Sequence, residues 1–87
     1  MNAYELTYTK RAKKGMLSLP LHVARLIRDK LRLLEEDPYA PIHNATKLQG
    51  RSGYRLRIGD WWVIYEIDND RLVILVLDVG QRGGIYQ

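Results

Sequence analysis

Among its 87 residues the sequence has no cysteine, no phenylalanine, three prolines and two histidines. Without cysteine there are no disulfides, no thiolate nucleophile and no thiolate-bound zinc or iron–sulfur centre. Two histidines, His22 and His43, are too few for a zinc site and stand at neither metal nor triad spacing. Long apolar runs are missing as well. The longest, Leu72 to Leu77, falls far short of the ~20 residues that span a bilayer, and the N-terminus lacks the basic-then-apolar order of a secretory signal. No membrane association is expected, and the chain reads as cytoplasmic. The acidic residues of the C-terminal half are scattered and form no carboxylate pair of the kind a metal-dependent nuclease or a glycosidase needs. Neither a metal nor another cofactor is expected.

What is present fits one small domain over residues 1–87. With 46% hydrophobic and 28% charged residues the composition is ordinary for a globular chain. A domain this short buries only about 60% of its unfolded surface, so two tryptophans and six tyrosines count as core material. The net charge of +4 is unevenly spread. Residues 1–34 hold Lys10, Arg11, Lys13, Lys14, Arg25, Arg28, Lys30 and Arg32 against Glu5 and Asp29, whereas residues 35–46 hold Glu35, Glu36 and Asp37. Lys47, Arg51, Arg55 and Arg57 follow with no acid among them, and the rest of the chain is net acidic. Two basic stretches around an acidic one suit a nucleic-acid or acidic-partner surface. They also suit a merely solvated face.

Alternation over Tyr4 to Tyr8 predicts a half-buried strand. Thr9 then caps a short helix over Lys10 to Leu17, although Gly15 inside it costs about 1 kcal/mol relative to alanine. Pro20 in a first turn, with Ala24, Ile27, Leu31 and Leu34 at helical spacing, predicts a second helix to Glu36 whose outer face is basic. Asp37-Pro38 ends it, and Pro41 keeps the next stretch irregular. Tyr54, Leu56 and Ile58 alternate with Arg55 and Arg57, Gly59-Asp60 offers a two-residue turn, and Trp61 to Ile67 alternates again: a hairpin. With that loop, Ile58 faces Trp61, Arg57 faces Trp62, Leu56 faces Val63, Arg55 faces Ile64 and Tyr54 faces Tyr65. Leu72 to Val79 is so continuously apolar that it reads as a central strand buried on both faces. The fold class is α+β: an N-terminal strand, a helical hairpin and a three-strand antiparallel meander, with both helices on one face of a mostly antiparallel four-stranded sheet.

The second face of the hairpin carries Arg55, Arg57 and Trp62. Guanidiniums grip phosphates bidentately and stay charged, and an exposed indole stacks on a nucleobase. The plainer alternative is that Trp62 covers a hydrophobic patch and stacks on Arg57, a contact of about 0.5–1 kcal/mol. After Gly80 come Arg82 and Tyr86. A tail folded back along this face would surround Tyr86 with positive charge, which lowers a phenol's pKa and equips it as a general base. Simple packing of that tyrosine on the sheet edge stays open beside it.

Residues 47–86, KLQGRSGYRLRIGDWWVIYEIDNDRLVILVLDVGQRGGIY, resemble the signature half of the RelE toxins of bacterial toxin–antitoxin modules, in the RelE/ParE superfamily. The resemblance combines Lys47-Leu48 and Gly50, Tyr54-Arg55-Leu56-Arg57 leading into Gly59-Asp60, Val63-Ile64-Tyr65-Glu66, and the closing Gly80, Arg82 and Tyr86. Residues 4–38 fit that family's strand and helical hairpin. The resemblance implies a RelE-like fold and the toxin of a type II toxin–antitoxin system. Its implied activity is that of a ribosome-dependent, metal-free mRNA endonuclease (mRNA interferase), which inhibits translation and is held silent by a cognate antitoxin. The implied partners are that antitoxin and the 70S ribosome with mRNA and 16S rRNA. In such cleavage the 2′-hydroxyl attacks the adjacent phosphate, basic side chains stabilise the developing charge, and a terminal tyrosine or basic group handles protons.

Carried over by position, Arg55, Arg57, Arg82 and Tyr86 take the catalytic roles. By their charge, and for Trp62 by its indole, Lys10, Lys13, Lys14, Arg25, Arg28, Lys47, Arg51 and Trp62 are the expected RNA-binding residues, with the helical residues directed at ribosomal RNA. Two positions depart from the family pattern. Trp62 stands where many members have an arginine aimed at the scissile phosphate, and loss of one such donor typically costs about 10²- to 10³-fold in rate, which implies an attenuated member, a substituted variant, or one in which Arg55, Arg57 and Arg82 compensate. Gln81 stands where a basic residue or histidine is frequent. The alternative is a ParE-type toxin, which shares the fold, lacks the nuclease site and binds DNA gyrase.

Overall fold

The structure, a computed structural model, describes residues 3–40 and 44–81. Along the chain come β1 (Glu5–Tyr8), α1 (Lys10–Leu17), α2 (Leu21–Glu36), β2 (Ala45–Lys47), β3 (Tyr54–Ile58), β4 (Trp61–Asp68) and β5 (Val73–Gln81). One mixed sheet has the order β1-β5-β4-β3-β2, with β1 parallel to β5 and every other pairing antiparallel. This is an α+β arrangement of two helices and five strands.

The hairpin of β3 and β4 has the register read from its alternation: Ile58 opposite Trp61, Arg57 opposite Trp62, Leu56 opposite Val63, Arg55 opposite Ile64 and Tyr54 opposite Tyr65. Gly59 turns the chain with φ +60, a region L-residues rarely adopt. In α2, Val23, Ile27, Leu31 and Leu34 form the buried stripe. Val23 thus takes the place expected of Ala24, which is half-buried. Asp37 ends the helix in an extended conformation, and its carboxylate accepts the Tyr39 N–H at 3.0 Å.

Two expectations are corrected. The sheet has five strands, not four, because β2 forms in the stretch assigned to irregular loop; Arg57 N–H also donates to Asn44 O at 2.9 Å beside it. Three residues paired on one side only carry too little alternation to be seen in sequence. Nor is β5 buried on both faces. Ile74, Val76 and Val79 are buried against the helices, whereas Val73, Leu75 and Leu77 are half-buried on the opposite face. The strand is internal because β1 and β4 flank it, and the middle of the sheet is β4.

The core joins Ala12 of α1 and the α2 stripe to Leu56, Ile58, Val63, Tyr65, Ile74, Val76 and Val79. One irregularity shapes it. Ile64 pairs with Asp78 but Tyr65 pairs with Val76, so Leu77 is an extra residue, a β-bulge in β5. At that point Thr9 joins strand to helix. Its N–H donates to Val76 O at 2.9 Å, its hydroxyl donates to Leu77 O at 2.8 Å, and the same hydroxyl accepts the Ala12 N–H at 3.1 Å as the cap of α1. Beyond β1, therefore, α1 covers the edge of β5. The approach explains the helical glycine: a Cβ on Gly15 would stand 2.9 Å from Val79 O and 3.2 Å from Val79 Cβ.

Two predictions follow from this packing. Gly15→Ala would favour an isolated helix by about 1 kcal/mol, yet here the collision with backbone should give a net loss of about 1–3 kcal/mol. Thermal unfolding should then show a midpoint lower by roughly 4–8 °C per kcal/mol; a raised midpoint would contradict the close approach. The second concerns Tyr65, which is 1% exposed and stacks on Tyr54 at a centroid distance of 5.5 Å. Burial, and secondarily the Tyr54 phenol, push its pKa from 10.0 up to about 12. The folded value lies above the unfolded one, so this contribution to stability is complete below pH 10 and is lost as pH rises from 10 to about 12. Denaturant midpoints across that window should fall more steeply for the wild type than for Tyr65→Phe.

Candidate nucleic-acid interface

Strand side chains alternate between faces, and the helices take only one face of this sheet. The other presents cross-strand rows, Arg57–Trp62–Gly80 and then Arg55–Ile64–Asp78. A cavity of about 600 Å³ opens over the second row. Leu48, Trp62, Ile64 and Leu77 give it an apolar floor, and Arg11, Arg51, Arg55 and Asp78 give it a charged rim.

The charged groups differ in what they already hold. The Asp78 carboxylate accepts the Val79 N–H at 2.9 Å through Oδ1 and pairs with Arg11 Nε at 3.1 Å through Oδ2. The side chains of Arg51, Arg55 and Arg57 make no ion pair among the described residues. Arg55 Nε and Trp62 Nε1 are covered from solvent with no hydrogen-bond partner among the described residues. Such donors are costly to leave unmatched, and Arg55 is charged.

The Trp62 indole rests on Gly80, not on Arg57. A Cβ at position 80 would lie 2.7 Å from Cε2 of the ring, inside van der Waals contact. The ring is thereby laid along the sheet at the margin of the cavity, half-buried. An aromatic surface beside unpaired guanidiniums can stack a base while phosphate is held.

The structure brings together Arg51, Arg55 and Trp62 of the sequence-derived set at this cavity, with Arg57 in the neighbouring row. Lys47 is exposed on β2, at the edge of the sheet, and does not line the cavity. Lys10, Lys13, Lys14, Arg25 and Arg28 are exposed on the helices, the layer across the sheet from Arg55. Lys13 and Arg28 converge there on a smaller hollow of about 310 Å³ with Tyr8, Met16 and Leu17. Arg82 and Tyr86 lie outside the described residues, as does His43; His22 is exposed on α2. Sequence reasoning missed Arg11 and Asp78. A single acid interrupting the apolar run of β5 was the available sign of Asp78, but no spacing announces an ion pair between residues so far apart in the chain. No group of three or more potential metal-ligating side chains occurs among the described residues.

The Trp62–Gly80 contact predicts strong coupling. Gly80→Ala should destabilise the protein by about 1–3 kcal/mol, whereas in a Trp62→Ala background the same change should cost little. A double-mutant cycle by chemical denaturation measures the difference, expected within the range of about 0.5–3 kcal/mol seen for contacting residues. Additive effects would mean that the ring does not rest there.

Comparison with known proteins agrees with this architecture. The model of the ParE toxin of the type II toxin–antitoxin system, parDE, matches residues 6–86. No curated protein matches the chain. Among solved structures, the archaeal RelE in complex with RelB from Pyrococcus horikoshii OT3 is 28% identical with a TM-score of 0.76, over 93% of this chain and 97% of that one. The isolated E. coli RelE toxin is 27% identical with a TM-score of 0.79, over 91% and 84%. RelBE, the intact E. coli toxin–antitoxin complex, gives 28% and 0.74, over 91% and 96%. With a family match over nearly its whole length and the fold of those toxins, this chain belongs to the RelE/ParE superfamily of toxins of type II toxin–antitoxin systems.

Proposed function

We propose that the toxin is an endoribonuclease, an mRNA interferase that cuts messenger RNA on the ribosome without a metal, and that the open face of its sheet receives the messenger. The observation that carries this reading is the cavity of about 600 Å³ that joins Arg51 and Arg55 to the Trp62 ring and an apolar floor. Single-stranded RNA needs this combination: charge for the backbone and a flat apolar surface for a base. Arg55 and Arg57 hold the scissile phosphate and stabilise its extra charge in the transition state. Arg82 and Tyr86 complete the set by their match to the family motif. Lys10, Lys13, Lys14, Arg25 and Arg28, on the other side of the molecule, meet 16S ribosomal RNA, and Lys47 adds a phosphate contact at the rim.

Residues 1–87 form one toxin domain working in the cytoplasm. A cognate antitoxin silences it through an acidic segment laid over Arg55 and Arg57; the RelE relatives of Pyrococcus horikoshii and E. coli were crystallised with RelB. Trp62 in place of a guanidinium weakens the nuclease. A second reading, a ParE-type toxin that binds DNA gyrase, is favoured by the family whose model matches.

Cleavage of messenger on programmed ribosomes, run beside a gyrase supercoiling assay, separates the two. Cleavage without gyrase inhibition is expected. Arg55→Ala should lose about 10²- to 10³-fold in rate. Trp62→Arg should cleave faster and melt several degrees lower if like-charge repulsion beside Arg55 and Arg57 costs about 1 kcal/mol. Gyrase inhibition with intact messenger would select the second reading.

A further inference from the structure

We propose that Asp78 is the proton acceptor for the 2′-hydroxyl in RNA cleavage at the open-face cavity, a proposal that rests on the nuclease reading above. Metal-free cleavage requires a base within reach of that hydroxyl and a cation on the phosphate next to it. Asp78 is the acid on the rim of the cavity, and it stands in one cross-strand row with Arg55, with Ile64 between them. Two strand spacings put their backbones roughly 10 Å apart. Both side chains line the cavity, and that gap admits one ribose and its 3′-phosphate.

Its placement is built. By simple alternation from Val76, position 78 would face the core; the extra residue Leu77 turns Asp78 to the open face and Val79 inward. The carboxylate is then fixed by the Val79 N–H at 2.9 Å and by Arg11 Nε at 3.1 Å, and it is about one quarter exposed. These two contacts use one direction at each oxygen, and a carboxylate accepts about four hydrogen bonds, so acceptor capacity remains for a substrate hydroxyl. The other charged groups at the cavity are Arg11 from α1, Arg51 from the loop before β3 and Arg55 from β3. Three cations around one carboxylate permit a phosphodiester to approach it despite the like charge.

In the step, the 2′-hydroxyl proton passes to a free oxygen of Asp78 as the 2′-oxygen forms its bond to phosphorus. The phosphorus–5′-oxygen bond breaks, and its electron pair leaves on the 5′-oxygen, which takes a proton from solvent water. The products are a 2′,3′-cyclic phosphate and a 5′-hydroxyl end. Arg55 carries the added negative charge on the non-bridging oxygens.

The experiment measures single-turnover cleavage on programmed ribosomes against pH for wild type, Asp78→Asn, Asp78→Glu and Arg11→Gln, with ribosome binding and thermal unfolding of each. Asp78→Asn should bind ribosomes like the wild type, lose about 10²- to 10⁴-fold in rate and give a residual rate without the wild type's fall on acidification. Asp78→Glu should recover part of the rate and restore that fall. Arg11→Gln removes the same ion pair but keeps the carboxylate, and should lose less than 10-fold. An Asp78→Asn form that cleaves with the wild-type rate and pH profile overturns the proposal and leaves the nuclease reading standing, as does an Arg11→Gln form that copies the loss of Asp78→Asn. A wild type that binds ribosomes and cleaves nothing overturns both.

Discussion

One hydroxyl group, that of Thr9, holds the point on which the two layers of the molecule agree. It accepts from the first turn of α1 and donates to the carbonyl of the extra residue in β5. A one-residue slip in a strand exchanges its faces; here the slip is confined to Leu77 and is held by the helix that begins beside it. With the bulge, Val79 enters the core and an acid leaves it. Without it, the buried face would contain a carboxylate, which is among the most expensive groups to bury unpaired. Core and open face are thus two results of one backbone irregularity.

The hairpin was legible because everything that fixes it is local. A Gly-Asp turn and two alternating segments determine the register of β3 and β4 with no help from the rest of the chain, and the helices likewise follow from the Thr9 cap of α1 and the apolar spacing of α2. What could not be read is what depends on distant partners. Leu72 to Val79 looks buried on both faces because sequence does not say that only one face of β5 is covered. Strand β2 is too short to show a period, and Gly15 reads as a defect until Val79 O is seen beside it. At the candidate site, Arg55, Arg57 and Trp62 could be placed together from the hairpin alone. Arg11 and Asp78 could not, since they meet only after a helix end is joined to a strand bulge.

A sheet covered on one side must keep its other side soluble, and this one does so with an uneven distribution of charge. Guanidiniums with no ion-pair partner among the described residues occupy the end near the β3–β4 turn, while Glu66 and Asp68 of β4 face a smaller hollow at the far end with Arg71. Ile64, Leu75 and Leu77 lie half-buried between. Such a face stays solvated through the same arginines whose guanidinium groups are, as a chemical class, suited to grip phosphate bidentately.

The indole lying on Gly80 also sets an order on how this surface can change over generations. Position 62 can accept a smaller side chain without asking anything of its neighbour. Position 80 accepts one only if the ring gives way, since even a methyl group would enter it. A lineage that reshapes this corner at the least cost to stability therefore alters residue 62 first. A descendant that later gained a side chain at residue 80 would recover tryptophan only against that penalty, so the contact acts as a ratchet on the history of the surface.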